Sequence, residues 1–198
     1  MTPRASQSTS IDMGTASNVS LPGHTAPAVG LESPFEMLVA CHGRVHRSLD
    51  LLRRLQQHLI DTGWNEDAAQ AARDVMRYFD LAAPLHHQDE ELHVFPILLA
   101  GSDTPMRTVV YQLQQDHQEM EVRWAQARRL LLLIAEPKVS PWTPLDSAQT
   151  TTLERFAALY GKHIEDEEGV VYPAARVLLS TQSVQIMSQD MMQRRGVR

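Results

Sequence analysis

"FDLAAPLHHQDEELHVFP" (79–96) and "FAALYGKHIEDEEGVVYP" (156–173) are two versions of one segment. Each opens on Phe, places a histidine seven positions on, runs through Asp-Glu-Glu and closes on an aromatic-proline pair. His86 falls on His163, Asp89 on Asp166, Glu90-Glu91 on Glu167-Glu168 and Pro96 on Pro173, an offset of 77 positions. A fainter echo relates "HGRVHRSLDLLRRL" (42–55) to "HQEMEVRWAQARRL" (117–130) at an offset of 75. There His42 lands on His117, Leu49 on Trp124 and Arg-Arg-Leu on Arg-Arg-Leu. The chain reads as two related helical hairpins. Each carries a lone histidine on its first helix and His-x-x-x-Glu on its second.

The surrounding sequence supports that reading. Phe35, Leu38, Val39, Val45, Leu49, Leu52 and Leu55 recur at steps of three and four, the stripe of a buried helix face. "DTGWNED" (61–67) interrupts it, with Asn65 placed to cap the next helix. A second helical run extends from Glu66 to Leu99. Thr104 is the expected cap of a third, with Pro105 at its first position and its end near Glu136. "PKVSPWTP" (137–144) breaks the chain with three prolines, and a fourth run covers Ser147 to Leu179. An amphipathic segment then ends at Gly196. Alternating β-branched runs and Asn-Gly turns are absent. The expected architecture is an all-α, antiparallel up-down four-helix bundle. Its expected limits are a disordered tail over 1–30, the bundle over 31–180 and a short C-terminal helix and tail over 181–198; the isolated His24 belongs to the tail.

Composition narrows the function classes. A chain of 198 residues with 43% hydrophobic content supports one core, and the longest apolar run, "LLLLI" (130–134), falls far short of the roughly 20 residues that span a bilayer. A net charge of −6 argues against nucleic acid as a partner. The N-terminus lacks the pattern of a secretory signal, and the single Cys41 suits a reducing cytoplasm. No Ser-His-Asp arrangement, phosphate loop or paired-cysteine zinc pattern stands out. A protein partner is not legible.

The repeat carries the chemistry. Residues four apart on a helix differ by only about 40° around the axis, so His86 with Glu90, and His163 with Glu167, each offer a nitrogen and an oxygen on one face. One such pair is ordinarily an exposed helix pair. Two in matching frames, joined by His42 and His117, aim six donors into one interior, and imidazole with carboxylate suits iron, manganese or zinc better than calcium. His87 aligns with Ile164 and His93 with Val170, so neither is expected among the ligands. Glu91 and Glu168 are assigned to solvent; Asp89 and Asp166 fit either solvent or a role as acceptors for the ligand histidines. Pro84 and Gly161, at equivalent places, are expected to distort their helices.

With these residues in place the chain resembles the hemerythrin-like, or HHE cation-binding, domains over about residues 33 to 180. The resemblance implies two non-haem iron ions, oxo- or hydroxo-bridged. Glu90 and Glu167 would bridge them, with His42 and His86 terminal on one and His117 and His163 on the other. Reversible oxygen carriers of that family commonly place a second histidine one turn after the first on the third helix. Here that residue is Glu121, expected as an oxygen ligand that favours the ferric state. His46 on the first helix is left as a supporting or surface residue. The implied function is binding or sensing of oxygen and related diatomics, or buffering of iron, with small ligands such as oxygen, nitric oxide or peroxide as partners. The alternatives are a di-iron oxidoreductase acting on peroxide or nitric oxide, and a metal-responsive adaptor with Met187, Met191 and Met192 as its contact surface, although these methionines are first expected to pack the last helix on the bundle. His42→Ala and His117→Ala are each expected to lower bound metal, measured by elemental analysis after desalting, while circular dichroism keeps its helical amplitude. Full retention of metal by both variants would return these histidines to the list of surface residues.

Overall fold

A computed structural model describes residues 33–101, 103–137 and 142–196; the expected tail and His24 lie outside them. The described residues are helical, without strands. Helix α1 (Pro34–Asp61) and α2 (Glu66–Asp89) form the first hairpin. A π turn (Glu90–Val94) and α3 (Phe95–Gly101) extend α2. Helix α4 (Thr104–Ala135) opens the second hairpin, completed by α5 (Ser147–Ala158), α6 (Tyr160–Asp166), a second π turn (Glu167–Val171) and α7 (Tyr172–Leu178). Helix α8 (Thr181–Arg194) packs on α1 and α2. Four rods therefore make the bundle, in the expected class.

Local chemistry sets the ends. Gly63 takes a positive φ of 85°, which a residue with a Cβ adopts only under strain, and so turns the chain out of α1. Asn65 then accepts from the Ala68 backbone at 2.9 Å, the expected cap. On α4 the cap is Asp103 rather than Thr104: its carboxylate accepts from Met106 N at 3.1 Å, and Thr104 and Pro105 fall in the first turn. Asp146 and Gln149 form a reciprocal capping box at the start of α5.

The main helix distortions lie further along than Pro84 and Gly161. Pro84 sits inside α2, and only a slight break at Leu159 precedes Gly161. The π turns begin instead at Glu90 and at Glu167, and in each the amide five residues on donates back: Phe95 to Glu90 and Tyr172 to Glu167. Pro96 and Pro173 supply the cause. Each lacks the N–H for an α-helical bond to residue 92 or 169, and its ring crowds that carbonyl, so the preceding turn opens.

Two apolar layers flank a polar one. Leu52, Phe79, Met120, Leu131 and Phe156 belong to one layer; Leu38, Phe95, Leu98, Leu113 and Tyr172 belong to the other. Met187 and Met191 are fully buried in the second layer, so they pack α8 onto the bundle and do not form an external contact surface. Helix α8 also closes over Asp89, which is completely buried. Arg195 Nη2 donates to Oδ2 at 2.5 Å, and Arg194 Nη2 lies 2.6 Å from Oδ1, an ion pair off the line of a hydrogen bond. Removing both arginines leaves a buried carboxylate uncompensated. Arg194→Ala with Arg195→Ala is expected to cost about 3 kcal/mol in urea unfolding; a loss below about 0.5 kcal/mol would place the pair among ordinary surface bridges.

Candidate metal centre

Between the apolar layers the four rods bring His42, His86, Glu90, His117, His163 and Glu167 together, all of them buried. His42 and His86 face each other with Nε2 atoms 3.0 Å apart. Donors on one ion at bonds of about 2.1 Å sit at about that separation when adjacent. The carboxylates lie between the histidine pairs. Glu90 Oε1 is 3.5 Å from His86 Nε2, and Glu90 Oε2 is 3.5 Å from His117 Nε2. Glu167 Oε2 is 3.1 Å from His42 Nε2, and Oε1 is 3.0 Å from His163 Nε2 and 3.8 Å from His117 Nε2. Each carboxylate thus turns one oxygen toward each pair.

These contacts are at ion-pair distance but mostly lack hydrogen-bond geometry. Glu90 Oε2, both oxygens of Glu167, and Nε2 of His117 and His163 are buried without a hydrogen-bond partner. Unsatisfied groups at such density are costly unless a cation takes the lone pairs. The donor set fits a divalent or trivalent transition metal.

The outer face of the site fixes the histidines. His42 Nδ1 donates to Glu168 Oε1 at 2.8 Å, and His117 Nδ1 donates to Glu91 Oε1 at 3.1 Å, with Gln114 holding the other Glu91 oxygen at 2.7 Å. His163 Nδ1 meets Asp116 Oδ2 at 3.3 Å. A proton kept on Nδ1 leaves the Nε2 lone pair pointing inward, the state a metal requires. Glu91 and Glu168, assigned to solvent from sequence, are therefore the acceptors of the lone histidines. Their equivalence in the repeat was the available signal. Asp89 turns away to the α8 arginines, and Asp166 pairs with Lys162.

Charge is distributed unevenly. Burial and the neighbouring Glu167 charge push Glu90 well above the usual carboxylate range. Burial pushes Glu167 the same way, but His117, His163 and His42 together outweigh it and hold Glu167 well below that range. For His42, burial favours the neutral ring and is outweighed by Glu167 and Glu168; for His117 it is outweighed by Glu167 and Glu91, so both are raised. Burial, then the charge of His42, drives His86 well down.

Three residues depart from expectation. Tyr172, noted only as the end of the repeat, donates its hydroxyl hydrogen to Glu90 Oε1 and stacks on His42 at 5.7 Å; Phe95, its equivalent, stacks on His117 at 5.5 Å. Glu121 is not brought to His117. The inward stripe of α4 steps by three after His117, so Met120 takes the buried place, and Glu121 is exposed on the rim of a cavity between α2 and α4. His87 lies on the inner wall of that cavity, stacked on His117. Burial, then the charge of His117, pushes His87 well down. His46 is exposed, and His93 bonds to Asp190 on α8 at 2.6 Å.

Comparison with known proteins agrees with this geometry. The sequence pattern of the hemerythrin HHE cation-binding domain matches residues 33–175. An uncharacterised protein of Haemophilus influenzae is 32% identical over 166 residues, covering 83% of this chain and 91% of that one. A match over most of the bundle, with the histidine and glutamate donors inside it, places the chain in the hemerythrin HHE cation-binding family, as a metal-binding, hemerythrin-like protein.

Proposed function

We propose that the bundle holds two iron ions side by side and serves to bind or sense a small diatomic such as oxygen, or to buffer iron. The division of the Glu90 and Glu167 oxygens between the two histidine pairs carries this reading. His42 and His86 would hold one ion, His117 and His163 the other, and the two glutamates would span both through an oxo- or hydroxo-bridged pair. Imidazole nitrogen with carboxylate oxygen is a donor set for redox-active iron. When bound, such a pair exchanges electrons and accepts a small ligand wherever the protein leaves a coordination position open.

The protein's own part is to hold, exclude and admit. Glu91, Glu168 and Asp116 lock three ring orientations, while the apolar layers keep bulk water from both ends of the site. A cavity of about 380 Å³ reaches inward from exposed Gln88, Gln118 and Glu121 to His117. That volume admits a small diatomic with room to spare. No helix of the described residues is long and apolar enough to cross a membrane, and the lone, buried Cys41 suits a reducing cytoplasm.

Tyr172 supports a second reading, an oxidoreductase acting on peroxide or nitric oxide. Its phenol donates to Glu90 and lies 3.3 Å from His42 Nε2, so a proton is at hand beside one ion position. Iron-replete protein is expected to carry about two iron ions per chain by elemental analysis. Reduced protein exposed to oxygen should show a long-lived optical change; rapid consumption of added peroxide with gas evolution would favour the oxidoreductase instead. Folded protein that takes up no iron under anaerobic reconstitution would defeat both readings.

A further inference from the structure

We infer that His87 is a metal ligand, the third histidine of the ion position formed by His117 and His163, supplied by α2 where Glu121 of α4 does not reach. The inference rests on the two-ion reading above. His87, His117 and His163 each offer a nitrogen, and the three nitrogens lie within 4.8 Å of one another, a grouping distinct from that of His42, His86, Glu90 and Glu167. The half-buried His87 ring contacts His86, His117 and His163, and no described residue hydrogen-bonds to its nitrogens. An imidazole on a cavity wall without a protein partner has donor and acceptor capacity to spare.

Helix geometry explains how neighbouring residues serve different ions. Successive residues on an α-helix point about 100° apart. Helix α2 packs against both α1 and α4, so His86 meets His42 of α1 and His87 meets His117 of α4. The repeat conceals this because the equivalent of His87 on the other hairpin is Ile164, a buried apolar residue.

In the structure the His87 and His117 rings are stacked, 11° from parallel with centroids 4.0 Å apart. An ion lies in the plane of each imidazole that binds it, so two stacked rings cannot share one as they stand. Ligation requires His87 to swing out of the stack, and the cavity it lines gives the ring room to do so. Glu121 sits on the same cavity's exposed rim and belongs to neither donor group. The two ion positions then differ: one has three histidines and the other two, with the glutamates common to both.

Anaerobic ferrous titration of the full chain tests this, with iron per chain read after desalting and X-ray absorption counting imidazoles. Wild type should hold two ions with about five imidazoles per pair rather than four. His87→Ala should retain the first ion and bind the second at least about tenfold more weakly, while Glu121→Gln keeps both. Wild-type binding of two ions, with His87→Ala matching it in affinity and imidazole count, overturns the assignment and leaves His87 as cavity wall. Loss of the second ion in Glu121→Gln alone overturns it too. Should His87→Ala fail to fold by circular dichroism, the wild-type imidazole count still decides. A folded wild type that binds fewer than two ions overturns the two-ion reading and His87's place within it.

Discussion

Two buried glutamates and four buried histidines in one layer of a helical bundle are the constraint on which this structure turns. An uncompensated carboxylate in a protein interior costs several kcal/mol, and here two share a space small enough that one is pushed toward its protonated form. The bundle tolerates the layer because apolar layers on either side carry the packing. It also commits four side chains, Glu91, Glu168, Asp116 and Gln114, to orienting rings whose inner nitrogens converge on the two buried carboxylates. Such investment makes sense for a bound cation, whose charge offsets the carboxylates and whose open coordination takes the orphaned lone pairs.

The π turns connect that layer to the second apolar layer. In each, the backbone amide of an aromatic residue donates to the carbonyl of the glutamate five positions earlier, and the aromatic ring then covers the lone histidine of the other hairpin. A continuous α-helix would pair residue 94 with 90 and residue 171 with 167 instead. The prolines at 96 and 173 therefore act on the site from a distance. They open the turn that starts at each glutamate, and so set which side chain stands over the metal layer.

Much of this was legible because the repeat acts as an internal comparison. Matching His86-Glu90 to His163-Glu167 picks the inward donors out of a segment crowded with polar residues, and the three-four stripe of α1 predicts its buried face, although Val39 proves exposed. What the repeat hides is whatever the hairpins do not share, or share in a role that spacing does not encode. Glu91 and Glu168 are matched but look like solvent-facing charge until the histidine across the bundle is known. Glu121 fails for a different reason. The interval of four predicts a common face only while the helix keeps presenting that face, and α4 turns Met120 inward instead.

The broken symmetry is the more informative part. Asp116 orients His163, but its equivalent is Cys41, whose sulfur accepts from Arg44, and His86 Nδ1 is left without a partner. Tyr172 brings a hydroxyl to Glu90 where Phe95 brings none near Glu167. His87 stands beside His117 where Ile164 occupies the equivalent place. All three differences act in one direction along the metal layer. The His42-His86 side has one ring whose outer nitrogen is unanchored and a phenolic proton within reach, while the His117-His163 side has both rings tied and a further imidazole beside them. On the two-ion proposal, the phenol would serve an ion held by His42 and His86, while the anchored rings and the cavity that reaches His117 would serve the other. The two hairpins thus share a scaffold for donors, and on the two-ion proposal their differences would divide the labour between the two positions.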